Sequence, residues 1–176
     1  MRILLLGAGG IIGRHILSEL LASGHQVRAA ARAVASRREM APDAEWVALD
    51  LARMTRPEAW APHLAGVDCV INAAGVLRGP DMHAVHVAMP QALHAACRKA
   101  EIRRVILISA VSARPDVATD YARTKLEGEA ALRSSGLRWT IFRPSLVIAE
   151  GSYGGTSLLR GLSALPLFQP LPGDGS

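Results

Sequence analysis

The strongest constraint in this chain lies within its first thirteen residues. An apolar run, Ile3-Leu4-Leu5-Leu6, feeds directly into Gly7-Ala8-Gly9-Gly10-Ile11-Ile12-Gly13. Residues 10–23 show helical spacing, in which Ile11, Ile12, Ile16, Leu20 and Leu21 recur on one face before Gly24 stops it. Strand, glycine loop and helix in that order form a phosphate cradle. Glycine permits the tight turn and the close approach of a phosphate, and the helix start supplies oriented N–H groups. Four glycines in seven residues restrict the chain to folds that begin with a βα unit of this kind.

The rest of the sequence continues the alternation. Strand signals fall at residues 26–31, 45–49, 67–72, 104–109 and 138–142. Helical patterns fall between them, at 83–100 and 116–135, with a short helix capped by Thr55 running through His63 and holding Pro57 in its first turn. The strand runs are apolar on both faces, as strands covered on both sides require. The expected fold class is α/β: a Rossmann-type, doubly wound parallel sheet with helices on both faces. Hydrophobic residues make up 50% of the chain and aromatics 4%, so Ala, Leu, Val and Ile must build the core, which suits helices on a sheet better than a sandwich. Residues 1–150 are expected to form the dinucleotide-binding domain. Residues 151–176 are expected to start an incomplete substrate-binding region, with no clear element from Pro166 to Ser176.

Composition narrows the function classes. The net charge of +5 comes from arginines dispersed along the chain, without a basic stripe or interleaved aromatics, which argues against nucleic-acid binding. Cys69 and Cys97 have no metal-ligand spacing and read as reduced core thiols. No metal site is expected. With no signal peptide and no apolar stretch of membrane-spanning length in this segment, a cytoplasmic protein acting on a small-molecule substrate is expected, with a homodimer as the assembly to consider.

A second cluster stands more than a hundred residues after the loop, at Tyr121-Ala122-Arg123-Thr124-Lys125. Tyrosine and lysine four apart on a helix project from one face, so the ammonium can stabilise a phenolate. Lys125 is one of only two lysines in an arginine-rich chain. Three further segments sit at strand ends, where such sheets gather ligands: Asp50-Leu51, Asn72-Ala73-Ala74-Gly75 and Ser109. Asp50 can equally be a simple turn aspartate. After the second strand no carboxylate appears. Arg32 stands there instead, with Arg14 past the loop and Arg37-Arg38 beyond, which favours NADP over NAD.

Taken together, these residues resemble the short-chain dehydrogenase/reductase superfamily, most closely its extended and atypical branches, which include epimerase-like proteins and relatives of a complex I accessory subunit. The resemblance runs through nearly the whole chain. It implies cofactor contacts from Gly7, Gly9, Gly10, Ile11, Ile12, Gly13, Arg14, Arg32, Asp50, Leu51, Ala73, Ala74, Gly75, Lys125 and Pro144. It implies Tyr121 as the acid/base group, Lys125 as the cation that tunes it and holds the nicotinamide ribose, and Ser109 as the hydroxyl that orients substrate. Ala110 interrupts the serine pair many members carry, leaving Ser112 as an alternative. The implied activity is an NADP(H)-dependent oxidoreductase or epimerase. The competing reading is a sensor or assembly scaffold that binds NADP(H) without turnover.

Overall fold

Every strand expected from the sequence forms, and all pair in parallel. The computed structural model describes residues 1–147 and 161. The strands are β1 (Arg2–Leu6), β2 (Gln26–Ala31), β3 (Glu45–Ala48), β4 (Cys69–Asn72), β5 (Arg104–Ile108) and β6 (Arg138–Phe142). Their order in the sheet is β3-β2-β1-β4-β5-β6. The chain steps outward from β1 to β3, then returns to lay β4 on the other side of β1. That reversal opens a crevice at the carboxyl ends of β1 and β4, where this class of sheet binds ligands.

Alternation along the strands divides the interior into two cores. Leu4 and Leu6 of β1, Val70 of β4, and Val105 and Leu107 of β5 face one way, packing on Met89, Leu93, Ala96 and Cys97 of helix α4 (Met89–Lys99) and Leu132 of α5 (Asp120–Arg133). Ile3, Leu5, Val27, Ala29, Trp46, Cys69 and Ile71 face the other way, onto Leu17 of α1 (Ile11–Ala22). Each cysteine is buried and free, one in each core. Burial raises both thiols, that of Cys97 to about 12, so neither is a nucleophile. Among the described residues no cluster of metal-binding side chains occurs, and no helix is long and apolar enough to cross a membrane.

The helices differ from expectation in four places. Ala35–Met40 forms α2, a short helix missed because its sequence carries no apolar stripe. Thr55 does not cap; the chain turns at Arg56 into a 3₁₀ turn, Pro57–Trp60, followed by α3 (Ala61–Leu64). Thr119 takes extended backbone angles and its hydroxyl accepts from Ala122 N at 3.2 Å, so α5 begins at Asp120 rather than at residue 116. The expected long helix from His83 opens as a π-helical turn over Ala84–Ala88 before α4 continues it. Two units divide the chain, Met1–Ser145 and Leu146–Ser176. The expected substrate-binding region and the tail from Pro166 lie outside the described residues, Gly161 excepted.

Candidate active site

Glycine at position 7 is required twice over. Its φ is +73°, and a Cβ there would meet the backbone of Ala73 and Ala74 at 2.8 Å. The loop is therefore seated directly on the end of β4. Gly13 is needed for a different contact: a Cβ would run into the Gly7 carbonyl oxygen and hold α1 off the loop. At Gly10 the protein itself leaves room, with only Gly7 O at 3.4 Å from an added Cβ. Gly10 also begins α1 without a side-chain cap. The two isoleucines that follow, Ile11 and Ile12, are half-buried in the first turn. A loop closed by glycine, open on one side and continuous with an uncapped helix start fits a dinucleotide pyrophosphate.

Three arginines come from the elements that flank the loop. Arg32 is exposed just past β2, and Arg14 is exposed in α1. Arg37, from α2, is brought in by the tertiary fold. Its guanidinium lies against Gly9, where an added Cβ would meet Arg37 Nη2 at 2.7 Å, and its Nε donates to Ala33 O at 3.1 Å. Asp50 is already occupied: one carboxylate oxygen accepts from Ala52 N at 3.3 Å, capping a 3₁₀ turn over Leu51–Arg53, and the other pairs with Arg53 at 3.2 Å. That is the turn role left open by the sequence. At β4 the Asn72 side chain accepts from Ala74 N at 3.1 Å, fixing the start of the Ala73-Ala74-Gly75 segment.

Tyr121 and Lys125 lie on one face of α5, with the ammonium 5.9 Å from the phenol ring centroid. Lys125 is buried. Its Nζ donates to Ile108 O at 3.1 Å at the end of β5 and lies 3.4 Å from where a Gly75 Cβ would stand. Burial lowers its pKa to about 8, against a partial rise from Glu129. Burial raises the Tyr121 phenol above its ordinary range, so in the protein alone the tyrosine stays protonated.

Ser109 has a different neighbour. Its hydroxyl lies beside the carboxylate of Glu129, two turns further along α5 than Tyr121, and favours that group's ionised form. The buried Oγ nonetheless makes no contact of hydrogen-bonding geometry. The structure thus brings Tyr121 and Lys125 together and sets Ser109 with Glu129. Pro144 accepts from Val111 N at 2.9 Å, tying the loop after β6 to the loop after β5.

Two residues absent from the sequence reading belong to this assembly. Glu129, fully buried, receives Arg143 and Arg133. His86, in the π-helical turn, is buried and meets the Tyr121 ring edge-on at 5.5 Å between centroids. Glu129 stands four residues past Lys125, a spacing that could have flagged it. His86 sits in an apolar run that gave no such signal.

The comparisons agree with this geometry. A family model described as NAD(P)H-binding matches residues 7–162. Photosystem II assembly factor Ycf39 of Cyanophora paradoxa is 31% identical over 147 residues, which are 81% of this chain and 44% of that protein. The chain thus spans less than half the length of this relative. A putative NAD-dependent epimerase/dehydratase from Bacillus halodurans superposes with a TM-score of 0.73 at 29% identity, covering 88% of this chain and 74% of that one. The Bordetella bronchiseptica enzyme WbmH, solved with NAD+, gives 0.74 at 21% identity over 92% and 62%, a likeness of fold. The chain belongs to the NAD(P)H-binding family and, by its fold and neighbours, to the extended, epimerase/dehydratase-like part of the short-chain dehydrogenase/reductase superfamily.

Proposed function

We propose that this chain is the cofactor half of an NADP(H)-dependent oxidoreductase or epimerase that acts on the carbonyl or alcohol of a small molecule, with Tyr121 as the acid/base group. One observation carries this reading: a buried lysine and a tyrosine share a helix face at the carboxyl edge of the sheet, with the ammonium close to Gly75 at the end of β4. A buried ammonium is costly, and this one is compensated by a bond to Ile108 O, the charge of Glu129 and the face of the Tyr121 ring. The bound nicotinamide supplies or accepts hydride. Gly7, Gly9, Gly10, Ile11, Ile12 and Gly13 would hold its pyrophosphate, and Lys125 its ribose.

Three groups of residues then divide the work. Arg32 and Arg37 favour a 2′-phosphate, because no carboxylate stands after β2 to select a free ribose hydroxyl. Tyr121, kept protonated by burial, is suited to donate a proton to a carbonyl oxygen. Ala73, Ala74, Gly75 and Pro144 present small or flat surfaces to the cofactor.

The Ycf39 relative supports a second reading, in which the cofactor domain serves assembly and turns nothing over. Turnover decides between them. NADPH oxidation by the protein would be followed with carbonyl, quinone and nucleotide-sugar compounds, with product analysis for epimerisation. Activity that falls about a hundredfold or more in Tyr121→Phe supports the enzyme. Tight NADPH binding with no turnover of any compound supports the scaffold.

A further inference from the structure

His86 joins the two halves of this site. Its Nε2 accepts the backbone N–H of Val76, in the loop after β4, at 3.0 Å. An imidazole nitrogen that accepts from an amide carries no proton, so in a neutral ring the proton sits on Nδ1. Nδ1 then donates to Thr124 Oγ1 at 2.9 Å, and the threonine hydroxyl donates to Asp120 O at 2.8 Å, with Tyr121 O at 3.2 Å. The chain of bonds ends on the backbone of the first turn of α5, the turn that carries Tyr121. The same imidazole packs against the Tyr121 ring with an interplanar angle of 78°.

The main chain of His86 is held as firmly. It lies in the π-helical turn, and α5 approaches its carbonyl so closely at Gly128 that a Cβ would collide with the oxygen. Such turns are rare and concentrate at functional sites. Burial, with the Lys125 charge, lowers the imidazole's pKa to about 3, so the ring does not titrate in the working range. It is no proton relay, since Nε2 faces a backbone amide, which neither supplies nor takes up a proton.

We propose that His86 is a positioning residue: its neutral Nδ1–H imidazole ties the loop after β4 to the first turn of α5 and so sets where the Tyr121 phenol stands. The functional part of this proposal rests on Tyr121 being the acid/base group; the structural part does not.

The test uses the 176-residue chain. In ¹⁵N-histidine spectra, assigned with His86→Asn, the His86 Nε2 should be unprotonated and unchanged between about pH 5 and 8, where exposed histidines titrate. An Nε2–H ring, or one that titrates there, overturns the proposal. Tyr121 ionisation is then read by absorbance in a Tyr153→Phe background, which leaves one tyrosine. His86→Ala should release the loop, admit water to the phenol and lower its midpoint by roughly one pH unit. His86→Asn, which keeps an acceptor and a donor, should stay near wild type. An unmoved midpoint in His86→Ala overturns the proposal, whether or not the protein turns a substrate over.

Steady-state kinetics use NADPH with 9,10-phenanthrenequinone as the carbonyl probe. His86→Ala should lower kcat about tenfold or more with NADPH affinity nearly unchanged, and Asn should restore most of it. A change confined to KM, or equal losses in Ala and Asn, overturns positioning. Full activity in Tyr121→Phe, or no turnover by wild type, instead defeats the acid/base reading and leaves the tautomer and the phenol midpoint to decide His86.

Discussion

Arg143 grips Glu129 with two prongs, Nε at 2.8 Å and Nη2 at 2.6 Å, from the end of β6 to the middle of α5. Glu129 is completely buried, and Arg133 adds a third contact at 2.9 Å from the next turn of the same helix. Burial alone would raise the carboxyl's pKa. The bonds and charge of Arg143, with Arg133, more than offset it and hold the group below its ordinary value. This pair locks α5 to the strand end that leads into Pro144, and so steadies the helix that presents Tyr121 and Lys125.

The pair is asymmetric, and so are its variants. Both arginines reach solvent, whereas the carboxylate does not. Arg143→Ala strands a buried charge on a single partner and should cost about 3–5 kcal/mol. Glu129→Gln leaves cations that water can reach and should cost about 1–3 kcal/mol. Because the folded pKa of Glu129 lies below its unfolded one, its contribution is present above the unfolded value and lost as pH falls through the folded value. Denaturant melts at neutral and acid pH should show the two variants separated at pH 7 and converging in acid.

Lys125 predicts a pH dependence of the same sign in an alkaline window. Its folded pKa, about 8, lies below the unfolded value, so its burial opposes folding while it is charged and that penalty disappears as pH rises through 8 and beyond. In the proposed function the charged form holds the nicotinamide ribose. NADPH affinity should therefore decline above about pH 8, with proton uptake on binding in that range, measurable by calorimetry in buffers of different ionisation enthalpy. Lys125→Met should abolish the proton uptake.

The glycine loop separates binding from stability. Gly10→Ala meets only Gly7 O, at an ordinary contact distance, so its cost should fall on the bound pyrophosphate. Gly13→Ala drives a methyl into the Gly7 carbonyl and should lower both stability and affinity. Thermal melts and NADPH titrations of the two variants check this, and binding by both as tight as wild type would reduce the loop to a plain turn.

Cofactor choice should follow the arginines. NADPH should bind several-fold more tightly than NADH, and Arg32→Ala or Arg37→Ala should each remove on the order of 1.5–3 kcal/mol from NADPH binding alone. Of the two, Arg37 should matter at least as much, because its guanidinium already stands against Gly9. Equal affinities for the two cofactors in the wild type would end the NADP assignment.

What the linear sequence determined is local or periodic. The strand positions follow from apolar runs, and β2 and β6 match residue for residue. The glycine loop and the Tyr121/Lys125 spacing are short-range patterns whose meaning depends on neighbours within one turn. What the tertiary structure decided involves partners far apart in the chain. Arg37 reaches Gly9 from a helix without an apolar stripe, and Glu129 meets Arg143 only because β6 ends beside α5. Ser109, at the expected strand end, is turned to that carboxylate because strand alternation assigns its face. His86 reads as one more residue in an apolar helix. Its role depends on a π-helical turn and on hydrogen-bond partners ten and thirty-eight residues away. Local pattern sets which elements form, because propensity and periodicity act over a few residues. Burial and pairing, which set protonation and the reach of a side chain, exist only once distant strands and helices have closed on one another.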